Sequence, residues 1–179
     1  MKKMSTRFLV FVALLTAVAV VAKMFLGIPV TIAGSYIKDI NLSSVVIMLG
    51  GAVFGPLAGG IIGALTDIIV TLLRPMGAYC PLFTISNTLI GIIPALFFMK
   101  KNFDKVSIIR TFAATLTVQV ICSMILNTLW QIIMGYIPFD WTLIFTRWIA
   151  SIIQWPIYSL VLYFLLTVVS KLHYKFPNY

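Results

Sequence analysis

Apolar residues run along this chain in long blocks, broken by short clusters of polar, proline and glycine positions. Six blocks stand out, at 6–26, 40–55, 57–73, 79–99, 107–134 and 141–170. A hydrocarbon core takes about 20 residues of helix to cross. The pattern therefore predicts an all-α integral membrane fold of six transmembrane helices, forming one domain over 1–179. Only Gly55-Pro56 separates the second block from the third, so these two are expected to form a tight hairpin.

Inside the blocks the polar positions keep helical spacing. Gln119, Ser123, Asn127 and Gln131 recur at every fourth position of the fifth block. Arg147, Ser151, Gln154 and Tyr158 share one face of the sixth, and Gly63, Asp67, Thr71 and Arg74 one face of the third. Polar groups are costly in hydrocarbon, so three such faces predict a common interior. Hydrogen bonding between helices is the simplest use for the deeper members Gln119, Ser123 and Asp67, with Asp67 paired to a polar neighbour or a cation. Arg74, Asn127, Gln131 and Arg147 instead gather near one side, together with every tryptophan: Trp130, Trp141, Trp148 and Trp155. Cations and aromatics at one mouth suit an anionic aromatic molecule. The plainer alternatives are an Arg147 that snorkels to the interface and tryptophans that form an interfacial belt.

Composition supports the membrane reading. The chain is 61% hydrophobic and 9% charged, against about 25% charged in soluble domains. With the N-terminus inside, Lys2, Lys3, Arg7, Lys100, Lys101, Lys105, Arg110, Lys171 and Lys175 fall on the cytoplasmic side. Lys23, Lys38, Arg74 and Arg147 fall outside. The positive-inside rule then predicts cytoplasmic termini, and the net charge of +9 reads as a topology signal instead of a nucleic-acid footprint. The N-terminus resembles a signal peptide, but its apolar stretch runs on past Lys23 to Ala33 without a convincing cleavage site, so a retained helix is expected.

Several chemistries are disfavoured. The chain has no Glu, and Asp39, Asp67, Asp104 and Asp140 are scattered; the lone His173 lies near the C-terminus. Neither a paired acid site nor a metal cluster can be assembled from that pattern, so no enzyme activity, metal or cofactor is expected. Cys80 and Cys122 show no metal spacing and read as packed thiols. A self-contained channel or exporter is the alternative left open by composition.

Small residues mark packing faces. Gly51, Gly55, Gly59 and Gly63 recur at every fourth position, a spacing that lets membrane helices approach closely. The pattern is expected to tighten the second and third helices around their hairpin. Ala13 and Ala17 lie one turn apart on the first helix, as an internal packing face or as a docking face for a partner. The loop from Arg74 to Thr84 is stiffened by Pro75 and Pro81, with Gly77 free to turn. It presents Tyr79 and Phe83 as a cap over the bundle or a preformed aromatic lid.

Taken together, Gly55-Pro56-x-x-Gly59, Asp67, Pro75-x-Gly77-x-Tyr79-x-Pro81-x-Phe83-Thr84 and Asn127-Thr-Leu-Trp130 resemble the folate-type substrate-capture (S) subunits of energy-coupling factor (ECF) vitamin transporters. The resemblance spans essentially the whole chain. The proline loop and Asn-Thr-Leu-Trp are its most specific parts. It implies a non-enzymatic vitamin binder in the bacterial cytoplasmic membrane that captures cargo outside and delivers it inward. The implied partners are a transmembrane coupling subunit and two cytoplasmic ATPases, and the first-helix Ala-x-x-x-Ala face, here Ala13 and Ala17, becomes the coupling-subunit interface.

A folate cargo suits the residues. Its rings could stack on Trp130, Tyr79 or Phe83, and Asn127 and Gln131 could read the pterin edge. Arg147 or Arg74 could fork onto a glutamate carboxylate, assisted by Lys23 and Lys38. Another vitamin or cofactor precursor on the same scaffold is the alternative cargo.

Overall fold

A computed structural model of the protein describes residues 6–32, 35–74, 79–98, 106–135 and 139–171. Helix α1 (Thr6–Phe25) leads into an antiparallel ribbon, β1 (Ile28–Ile32) and β2 (Ser35–Ile40). Then come α2 (Ser43–Phe54), α3 (Pro56–Leu73), α4 (Pro81–Phe98) and α5 (Ile108–Val118). A π-helical segment, Gln119–Leu126, joins α5 to α6 (Asn127–Ile133), and α7 (Trp141–Lys171) closes the described chain.

The spanning elements are helical, within a few residues of the expected blocks. Five are long and apolar enough to cross a membrane, the α5–π–α6 column counting as one; α2, with 12 residues, is a shorter apolar helix. That helix starts at Ser43 because the chain before it pairs as β2. The ribbon was not foreseen. Its Val30, Thr31, Tyr36 and Ile37 are β-branched or aromatic, which favours strand geometry, but a pattern searched for helix-length apolar blocks does not see two short strands.

The α2–α3 turn forms as expected. Gly55 adopts φ +89°, a region that penalises a Cβ, and Pro56 opens α3 where its missing N–H costs nothing. The glycine ladder extends further than the hairpin. A Cβ on Gly59 would lie 2.6 Å from Gly51 Cα and 2.7 Å from the carbonyl carbon of Gly91 on α4, and one on Gly63 would lie 2.7 Å from that of Asn87. The ladder therefore packs α2 and α3 against each other and both against α4.

The core is apolar, with Ile47, Met48, Ile62, Leu162 and Leu166 fully buried. Leu14, Leu57, Leu96, Ile109 and Ile153, among others, face outward and are more than half exposed. A girdle of this kind on every spanning helix matches a lipid surroundings and not water.

Candidate functional site

The three polar faces meet at a common interior, as expected. They line a cavity of about 340 Å³, within the usual size of small-molecule pockets. From α3 come Asp67 and Thr71, with Arg74 just beyond its end; from the α5–π–α6 column Gln119, Ser123, Asn127 and Gln131; from α7 Arg147, Gln154 and Tyr158. Gly63 and Ser151 are the two stripe members outside the lining. Gly63 is used in helix packing, and Ser151 accepts from Gln119 Nε2 at its carbonyl, 3.1 Å away.

The fifth-block stripe would not survive an uninterrupted α-helix. Each four-residue step advances about 40° around a 3.6-residue turn, so Gln119 and Gln131 would diverge by about 120°. Between them the hydrogen bonding lengthens: Asn127 N–H bonds to the carbonyl of Cys122, five residues back. Such i→i+5 bonding underwinds the helix and takes back the drift, so that the four polar residues and Cys122 line one cavity. Periodicity alone found the stripe but not the π segment that keeps it aligned.

Beside the cavity, Asp67 binds three donors. Its Oδ1 accepts from Lys23 Nζ at 2.8 Å and from Asn87 Nδ2 at 2.9 Å, and its Oδ2 from Thr84 Oγ1 at 2.8 Å. Thr84 in turn shares a 2.9 Å hydrogen bond with Tyr79 Oη. This network ties α1, α3, α4 and the start of the Tyr79 segment together. It supplies the cation partner anticipated for Asp67.

A second network spans the α7 side. Gln119 Nε2 donates to Gln154 Oε1 at 3.2 Å, and Gln154 Nε2 donates to Tyr158 Oη at 2.6 Å. Tyr158 Oη accepts from Asn41 N–H and donates to Asn41 O, both at 2.8 Å. Asn41 sits between β2 and α2, and its Oδ1 accepts from the Ser43 N–H at 2.9 Å. Gln119 and Ser123 therefore do both things weighed for them: they bond between helices and line the cavity.

The residues expected at the site divide into groups. Lys23, Arg74, Phe83, Asn127, Gln131 and Arg147 line the cavity. Arg147 is 5% exposed, too deep for a side chain that snorkels to the interface. Trp130 and Tyr79 are outside the lining: Trp130 Nε1 donates to Ser86 Oγ at 3.0 Å, and Tyr79 is half exposed beside Thr84. Lys38 lies on β2 opposite Val30, its side chain outside the described ones, and Pro75–Ala78 lie outside the described residues. Ala13 and Ala17 both face outward from α1, while Val12, Thr16, Ala19 and Val20 on the other faces are buried.

Other lining residues were missed. Thr115 extends the fifth-block stripe by one four-residue step and was legible there. Asn41, Met48 and Asn87 reach the cavity from elements whose polar or apolar spacing carries no separate signal. Trp155, one of the tryptophans expected at the mouth, with an interfacial belt as the alternative, donates to Phe112 O at 3.2 Å and packs edge-on against the Phe112 ring while lining the cavity. Cys80 and Cys122 are buried free thiols, as expected, and both line it too. Among the described residues no group of potential metal ligands forms.

Known proteins share this architecture. The sequence model of the family described as ECF-type riboflavin transporter, S component, matches residues 3–171. The folate transporter FolT of Clostridium novyi (strain NT) is 31% identical over 173 residues, covering 96% of this chain and 94% of that protein. FolT of Leuconostoc mesenteroides is 30% identical, covering 92% and 86%. A crystal structure of FolT bound with folic acid superposes with a TM-score of 0.80 at 29% identity, over 97% of this chain and 98% of that one. An S component of a bacterial ECF transporter shares the fold, with a TM-score of 0.68 at 19% identity. The chain belongs to the family of S components of ECF-type transporters, membrane proteins of transport and not enzymes.

Proposed function

We propose that the chain captures folate or a reduced folate as the S component of a vitamin uptake transporter in the cell membrane. The convergence of three polar faces on one cavity that holds Arg147 and Arg74 together with Phe83 and Trp155 carries the reading. Folate needs that combination: a planar ring system to stack, a pterin edge of donors and acceptors, and carboxylates for guanidinium forks. Its likeness to proteins named as folate transporters supports the same cargo.

In this reading Arg147 and Arg74 take the glutamate carboxylates, Asn127 and Gln131 read the pterin edge, and Phe83 and Trp155 flank the rings. Lys38, on the ribbon, assists near the mouth. The ribbon end faces outward and both termini face the cytoplasm, consistent with the distribution of lysines and arginines. The outward Ala13–Ala17 face of α1 receives the coupling subunit, whose two ATPases supply the energy. The whole chain acts as one membrane domain.

Calorimetry on purified protein, without nucleotide, tests the cargo. Folate is expected to bind tightly and riboflavin, which has no carboxylate for the arginines, weakly. Tight binding of riboflavin with no response to folates would overturn the cargo reading and leave the family intact.

A further inference from the structure

Hydrogen bonding along the α7 side of the cavity runs in one direction only. Tyr158 Oη accepts from the Asn41 N–H and gives its single proton to Asn41 O, both at 2.8 Å. Towards Gln154 the hydroxyl can then only accept, so the Gln154 amide turns its Nε2 to Tyr158 Oη, 2.6 Å away. That leaves Gln154 Oε1 facing Gln119, which has to answer with a donor. Gln119 Nε2 lies 3.2 Å from Gln154 Oε1 and 3.1 Å from Ser151 O. Both ends of the chain are set by main-chain groups, whose donor and acceptor roles cannot be exchanged. The Gln119 amide therefore has one permitted orientation.

Its two Nε2 protons are spent on α7. Among the described residues no donor is placed on its Oε1, which stays open to the cavity that the residue lines. Gln119 is only 6% exposed. An acceptor in so enclosed a wall is costly unless a donor reaches it from the cavity itself.

We propose that Gln119 Oε1 is a specificity-determining acceptor for an N–H donor on the ring system of the cargo. This rests on the folate reading and deepens it, since the pterin offers such donors in its 2-amino group and its N3–H. A ring with an acceptor in that place meets oxygen with a lone pair, and the amide cannot turn over to suit it. Gln119 thus rejects the wrong ring instead of adapting to it. Its bonds to Gln154 and Ser151 are what hold it in the selective orientation.

Calorimetry with two analogues of the same shape as folate tests the proposal. One carries methyl in place of the 2-amino group, the other C–H in place of N3–H. The wild type is expected to bind at least one of them about tenfold or more weakly than folate. Gln119→Met keeps the length of the side chain and removes the acceptor, and the preference is expected to disappear. Gln119→Leu repeats the measurement where the methionine variant is not recovered folded. The ratio of affinities is the readout, because either variant also loses the bonds to α7 and with them some stability. A wild type that binds all three ligands equally overturns the proposal. So does a variant that keeps the wild-type preference, which would place the donor against another residue. A wild type that binds no folate overturns the cargo reading itself, a result distinct from a folate binder without the preference.

Discussion

Trp130 donates its indole N–H to Ser86 Oγ, 3.0 Å away, and so fastens α6 to α4 outside the cavity that its neighbours Asn127 and Gln131 line. Its contribution is therefore to stability. Trp130→Phe keeps the ring and removes the bond, at an expected cost of about 1 kcal/mol. Thermal unfolding in detergent should register the loss while calorimetry gives an unchanged folate affinity. A folate affinity reduced by about tenfold would place Trp130 against the cargo.

Trp155 is expected to behave in the opposite way. Its side chain lines the cavity and is held edge-on to Phe112 at 5.7 Å between ring centroids. Trp155→Ala should weaken folate binding by about 2 kcal/mol or more, from lost burial and stacking together. Trp155→Phe should recover most of that affinity. Measured dissociation constants that are equal for wild type and Trp155→Ala would remove the residue from the site.

Arg147 and Arg74 line the same cavity at different depths: Arg147 is buried and Arg74 exposed. A guanidinium fork onto a carboxylate is lost with either Lys or Ala, so Arg147→Lys should cost nearly as much as Arg147→Ala, about 1.5–3 kcal/mol of binding. Arg74→Ala should cost less, because exposed charges are screened by water. Titrations of the three variants against folate check the order, and an unchanged affinity for both Arg147 variants would contradict the assignment.

Ala13 and Ala17 offer a different readout. Both lie on the outward face of α1, away from the buried Val12, Thr16 and Ala19. A tryptophan at either position would hold a partner helix away. Ala13→Trp and Ala17→Trp should leave folate binding by the isolated protein intact and abolish co-purification with the coupling subunit. Variants that lose folate binding but still assemble would make the alanines part of an internal packing face.

Much of this was legible in the chain because hydrocarbon forces polar groups to find one another. Gln119, Asn127, Gln131 and Asp67 are most favourably placed in a shared interior, so their spacing located the cavity walls, while Arg147 had the interface as a second place. Individual partnerships were not legible in the same way. Nothing in the spacing ties Lys23 to Asp67, 44 positions apart, or turns Trp130 towards Ser86. The ribbon at 28–40 and the π segment at 119–126 were missed for a related reason: each is a local departure from the repeat by which the helices were recognised.

Tyr158 carries a consequence for how the protein is made. Its hydroxyl closes on both backbone groups of Asn41 across 117 positions of sequence, and Arg147 and Gln154 come from the same last helix. A ribosome-bound chain that has inserted only its first five spans therefore lacks one wall of the cavity and the pin that holds the entrance to α2. Contacts of such long range form late and slow assembly. The cavity has all its walls only after α7 has inserted, so a chain truncated before that helix would lack Arg147, Gln154, Trp155 and Tyr158.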